Sequence, residues 1–70
     1  MLNDYENLIP QGVIFNLREI EDMNLIKMNM LKKLIANKQL TYIKIGNKIH
    51  ISRLELIRYL KNNTVYNKNT

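Results

Sequence analysis

Cysteine and tryptophan are absent from the 70 residues, glycine occurs twice, and proline and histidine once each. Without cysteine, neither disulfides nor thiolate zinc ligands can stiffen a chain this close to the lower size limit for independent folding. The lone imidazole, His50, has no cysteine and no second histidine to join it in a metal site, so no metal and no other cofactor is expected. Apolar runs stay well short of the ~20 residues that span a bilayer. The N-terminus lacks the basic start and long apolar stretch of a secretion signal. A cytoplasmic protein without a membrane partner is the expectation. Paired carboxylates in an apolar setting, a nucleophile beside a base and a glycine-rich phosphate loop are all missing, so an enzyme is not expected.

Acid is missing in one region in particular. Residues 27–53 contain Lys27, Lys32, Lys33, Lys38, Lys44, Lys48 and Arg53 with no Asp or Glu, whereas residues 1–26 set Asp4, Glu6, Glu19, Glu21 and Asp22 against Arg18. The whole chain carries +5. Cations crowded in this way either form a solvated basic face or meet a polyanion. What is abundant is Asn, Ile and Lys, a usage that follows an AT-rich coding sequence and so points to a low-GC bacterium or one of its mobile elements.

Along the chain, residues 1–12 are mixed in character and broken by Pro10 and Gly12. Val13-Ile14-Phe15 suits a brief strand. Asn16 with Glu19 forms a capping box, and Leu17, Ile20 and Met23 keep one helical face while Arg18, Glu19, Glu21 and Asp22 face solvent. Asn24-Leu25-Ile26 makes a turn. A second helix from about Lys27 to Lys38 buries Leu31, Leu34 and Ile35, with Lys27 a weak cap at its start. Residues 41–52 alternate Ile43, Ile45, Ile49 and Ile51 with polar neighbours around Gly46-Asn47, the pattern of a β-hairpin. A three-residue loop, Gly46 to Lys48, places all four isoleucines on one face and Tyr42, Lys44 and His50 on the other, with Lys48 at the tip. Ser52 and Glu55 form a second capping box, and Leu56, Ile57 and Leu60 line the last helix. Met23 and Met30 read as core filler, and Leu40 completes the apolar set.

The expected fold is therefore α+β, a winged helix-turn-helix of short strand, two helices, hairpin wing and C-terminal helix. It occupies residues 13–62, between a partly ordered N-terminal segment (1–12) and a flexible polar tail (63–70). Its basic second helix fits the width of the major groove and its basic hairpin reaches the flanking backbone. The candidate DNA contacts are Lys27, Asn29, Lys32 and Lys33 on the helix, and Lys44, Asn47, Lys48 and His50 on the wing. Asn29 has the donor–acceptor pair that reads adenine, although an exposed helical Asn is commonly just solvated. Leu8, Ile9, Leu25 and Met28 form a candidate patch for a protein partner.

Residues 15–60 resemble the excisionase and MerR-type helix-turn-helix domains of bacteria and their phages, plasmids and transposons. The resemblance is carried by Phe15 to Glu19 at the start, by Leu34-Ile35 and Leu40, and by Lys44-Ile45-Gly46 at the wing. Ile49, Ile51 and Arg53 in the return strand and Leu56, Tyr59 and Leu60 in the closing helix complete it. It covers about two-thirds of the chain. Leu25 stands where that family has Gly in the turn. Lys27-Met28-Asn29-Met30 replaces its polar helix start, and Ile20-Glu21 its pair of small residues. Met28 occupies the place of a base-reading Arg, and a thioether cannot donate to guanine, which leaves phosphate contact as the firmer expectation.

The resemblance implies a small DNA-binding protein of a mobile element, an excisionase-like architectural factor or transcriptional regulator. Such a protein would act with a larger recombination, replication or transcription protein, and copies would associate on DNA. The alternative is an accessory subunit docked on a polymerase, primase, helicase or integrase, aiding its hold on DNA, including single strands.

Overall fold

The computed structural model describes residues 5–66. The first residues of the expected N-terminal segment (1–4) and the end of the expected tail (67–70) lie outside the described residues. Within them the order is α1 (Tyr5–Leu8), β1 (Ile14–Asn16), α2 (Leu17–Asp22), α3 (Met28–Ala36), β2 (Ile43–Ile45), β3 (Lys48–Ser52) and α4 (Arg53–Asn62). The class is α+β: four helices with one antiparallel sheet of order β1-β3-β2.

Local chemistry sets the ends of the two central helices. Asn16 Oδ1 accepts the Glu19 N–H and Glu19 Oε1 accepts the Asn16 N–H, both at 2.8 Å, closing the capping box of α2. Its far end turns through Asn24 in the left-handed region (φ 61°). The Asn24 N–H donates to the Glu21 carbonyl (2.9 Å) and the Leu25 N–H to the Ile20 carbonyl (3.3 Å), a Schellman motif. The end of α3 repeats it. Lys38 stands at φ 62°, its N–H on the Ile35 carbonyl (3.1 Å) and the Gln39 N–H on the Leu34 carbonyl (2.8 Å). Asn tolerates this conformation better than most residues; Lys does not, because its Cβ crowds the following carbonyl.

The core consists of Ile9, Phe15, Ile20, Leu31, Leu34, Leu40, Ile51, Leu56 and Ile57, with Leu17, Met23, Leu25, Ile26, Ile35, Tyr59 and Leu60 packed around it. Ile9 is 3 % exposed and so belongs to the core rather than to a partner patch. The guanidinium of Arg53 pins it there, donating from Nε to the Pro10 carbonyl (3.0 Å) and from Nη2 to the carbonyls of Ile9 (3.2 Å) and Glu6. Beyond α4, Thr64 Oγ1 donates to the Leu60 carbonyl (2.7 Å) and takes a hydrogen bond from the Tyr5 hydroxyl, tying α1 to the other end of the chain. Met30 departs from the expected core role: it is 47 % exposed, because its neighbours Leu31 and Leu34 already fill the inward side of α3.

The hairpin departs further. Its register pairs Ile45 with Lys48, Lys44 with Ile49 and Ile43 with His50, so the loop is the two residues Gly46-Asn47 and not the expected three. Positive φ at Gly46, the first loop position, matches a II′ turn. Paired residues share a face, so Ile43 and Ile45 lie with His50, while Lys44 and Ile49 lie with Ile51 and Phe15 on the helix side. Burial falls toward the tip along β3, where Ile51 is buried and Ile49 half-buried, and again toward the edge strand, where Lys44 opposite Ile49 is exposed. Ile43 and Ile45 remain 41 % and 53 % exposed. The hairpin overhangs the core, and where no face is buried the apolar pattern loses its hold on register to the turn.

The expected box at Ser52 is half formed. Ser52 Oγ accepts the Glu55 N–H (3.0 Å), but the Glu55 carboxylate accepts from Thr41 N–H (2.9 Å) and from Arg58 Nε and Nη2 (2.8 and 2.6 Å). Arg58 Nη2 also reaches the Gln39 carbonyl (3.1 Å), so the pair straps the loop after α3 onto α4. The Arg58 guanidinium, helped by the Thr41 N–H and opposed by partial burial, holds the Glu55 carboxyl below its usual range.

Two outcomes follow. Lys38→Gly removes the left-handed strain and raises stability by about 0.5–1 kcal/mol, measured by urea denaturation. The ionised Glu55 contributes stability that is present above its ordinary pKa of 4.5 and is lost as pH falls through the lowered folded-state value. The melting-temperature gap between wild type and Glu55→Gln therefore closes as the buffer is taken from neutral to acidic.

Candidate nucleic-acid interface

Helix α3 has no cap of its own. Lys27 occupies the cap position and makes no side-chain capping bond. The bond comes from the preceding helix instead: Glu21 Oε2 accepts the Met28 N–H at 3.0 Å. A carboxylate here satisfies one orphan donor and also complements the positive end of the helix dipole. Glu21 is thus a structural ligand of α3, half-buried, and not part of the solvated face to which the sequence assigned it. This one bond spans the turn and fixes how α3 leaves α2.

The rotation of α3 sorts its residues. Leu31 and Leu34 are buried and Met28 and Ile35 half-buried, which turns Asn29, Lys32, Lys33 and Ala36 outward at i, i+3, i+4, i+7. These four are exposed, so the basic side of the helix is open along its whole length. Small Ala36 leaves room for close approach. Lys27 is exposed at the start of the helix.

The hairpin meets this helix at its start. Met28, Lys48 and Ile49 line a shallow groove of about 270 Å³ together with Asn16, Leu17 and Arg18. Of the expected DNA contacts the groove includes Lys48, which it sets beside Met28 at the start of α3, and it adds Arg18. Sequence reading placed Arg18 among the solvated residues of α2; the available signal was its isolation as the single cation among five acids. Lys44 and Asn47 are exposed, and the observed register puts Lys44 on the helix side of the sheet. His50 fares differently. It is half-buried in the middle of β3 between Asn16 and Ile43, and its Nδ1 is buried without a hydrogen-bond partner among the described residues.

The candidate protein-partner residues do not share one exposed surface. Ile9 is core, Leu25 packs on the core through the Schellman turn, and Met28 is half-buried in the groove; Leu8 is the exposed one, at 72 %. Among the described residues no group of three or more His, Cys, Asp or Glu is placed to hold a metal, and no helix is long and apolar enough to cross a membrane.

No protein family, curated protein or solved structure matches this chain.

Removing the Glu21 carboxylate is expected to loosen α3 specifically. Glu21→Ala costs about 1 kcal/mol of stability, and amide hydrogen exchange at Met28 to Leu31 accelerates more than exchange in α4. Equal acceleration in both helices would contradict the capping role.

Proposed function

We propose that the chain is a small winged helix-turn-helix protein, without chemistry of its own, that binds duplex DNA through α3 and the hairpin. The observation that carries this reading is the exposed run Asn29, Lys32, Lys33 and Ala36 on α3, bordered at one end by the groove that gathers Arg18, Met28 and Lys48. In this reading α2 and α3 are the helix-turn-helix, with α3 lying in the major groove. β2 and β3 are the wing, whose Lys44 and Lys48 reach the backbone beside it.

Charge supports the assignment. Lys27, Lys32, Lys33, Lys44 and Lys48 are all exposed, and Arg53, occupied with three carbonyls, is the cation of that stretch withdrawn from any outside ligand. Contacts of this kind fix position on the backbone rather than sequence. On the α3 face Asn29 has the donor–acceptor pair that reads adenine, and Lys32 and Lys33 can donate to guanine. A role in the handling of mobile-element DNA, excisionase-like or regulatory, fits the resemblance of residues 15–60 to those domains.

A second reading is an accessory subunit of a larger replication or recombination enzyme, and one observation favours it. Ile43 and Ile45 stand exposed together on the sheet face that also carries Lys48, an apolar pair of the kind a protein partner covers.

Fluorescence anisotropy with labelled duplex DNA tests the first reading. With four or five phosphates contacted, log affinity falls against log salt with a slope of about −4. Replacing Lys32, Lys33 and Lys48 together by Gln abolishes measurable binding at moderate salt and leaves the melting temperature unchanged, since all three side chains are exposed. Unaltered affinity in that triple variant would sink the assignment.

A further inference from the structure

We infer that the cleft between the end of α3 and the last turns of α4 is a second phosphate-binding site, for a DNA phosphodiester on the opposite rim of the groove from Arg18 and Lys48. The inference rests on the duplex-binding reading and adds a contact to it.

The cleft encloses about 560 Å³ and is lined mainly by polar groups, including Lys38, Thr41, Arg58, Asn62 and Asn63. Two cations enter it from different elements. Arg58 is presented in a fixed attitude: Glu55 engages its Nε and Nη2 and the Gln39 carbonyl its Nη2, while Nη1 carries no hydrogen bond among the described residues. A guanidinium held on one edge is prepared to donate from the other, and Arg suits phosphate geometry. Because Glu55 offsets the charge of Arg58, the net positive charge in the cleft comes from Lys38. The Lys38 side chain is exposed and carries no hydrogen bond among the described residues.

Lys38 also occupies a backbone position that resists it. Its φ of 62° at the end of α3 is where glycine is preferred, and among the described residues its side chain makes no hydrogen bond or ion pair to offset the strain. A strained residue of this kind points to a use for its side chain outside the fold. Position supplies that use. The nine residues of α3 span roughly 13 Å, close to the ~12 Å width of the major groove. One end of the helix opens on Arg18 and Lys48, the other on Lys38 and Arg58. A helix seated in the groove thereby presents a cationic cleft to each of the two phosphate rows that bound it.

The test is a salt series of duplex affinities for wild type, Lys38→Gln, Lys38→Gly, Asn62→Asp and Lys32→Gln. Lys38→Gln lowers the magnitude of the log–log salt slope by about 1 and weakens all duplex sequences alike. Asn62→Asp, which places an anion in the cleft, weakens binding to all duplex sequences alike. Lys38→Gly raises the melting temperature while lowering affinity, an opposition that a purely structural lysine would not give. Slopes and affinities equal to wild type in the three cleft variants, with Lys32→Gln reducing its slope, overturn the second site and leave the α3 interface standing. Full wild-type binding in every variant, the triple lysine variant included, overturns both.

Discussion

The carboxylate of Glu21 on the first amide of α3 is the contact on which the arrangement of the cations depends. A helix of nine residues with a lysine at its cap position has no means of holding its own first turn, and its two buried side chains, Leu31 and Leu34, fix its rotation better than its direction. Glu21 supplies the direction. It sits in the last turn of α2, itself anchored by the Asn16–Glu19 capping box at the front and the Asn24 turn behind. With both ends of α2 secured, the bond to Met28 fixes the start of α3, and Asn29, Lys32 and Lys33 emerge in a set direction. A half-buried acid between α2 and α3 is therefore a condition for the basic face outside them.

The charged residues divide into two kinds of work. Arg53 and Arg58 look from composition like two more cations in a basic chain, yet each is occupied with carbonyls of distant loops. Arginine suits this because one planar head meets several acceptors at once. Lysines carry the outward charge: those of α3 and the hairpin make no internal ion pair among the described residues. With so few residues, and no cysteine to cross-link the loops, side chain-to-backbone bonds of Arg53, Glu55 and Arg58 tie together segments that apolar contact alone would leave loose. An ionised donor or acceptor makes such bonds stronger than neutral ones.

The hairpin shows how a reasonable rule is overruled. Gathering all four isoleucines on one face is favourable only where that face meets a core, and the hairpin extends past the helices. There the II′ turn at Gly46-Asn47 governs, and Ile43 and Ile45 are left in solvent. A three-residue edge strand with Lys44 at its centre is short and charged enough to resist pairing with a neighbour.

What the sequence determined by itself was whatever depends on residues within about four positions of one another. That includes the stripes of α2, α3 and α4, the cap at Asn16, the stop at Asn24, the existence of a hairpin and the exposure of Lys32 and Lys33. Tertiary structure decided what depends on partners far along the chain. Ile9 became core because Arg53 draws its segment in. Glu21 became a cap because α3 lacked one, and Glu55 left its own capping box for Arg58 and the Thr41 amide. Arg18 came beside Lys48, and Lys38 beside Arg58, through the packing of separate elements. Local spacing fixes which side of a helix is apolar, but only the assembled core fixes which charged groups stand next to each other, because those distances cross loops whose course no short-range pattern specifies.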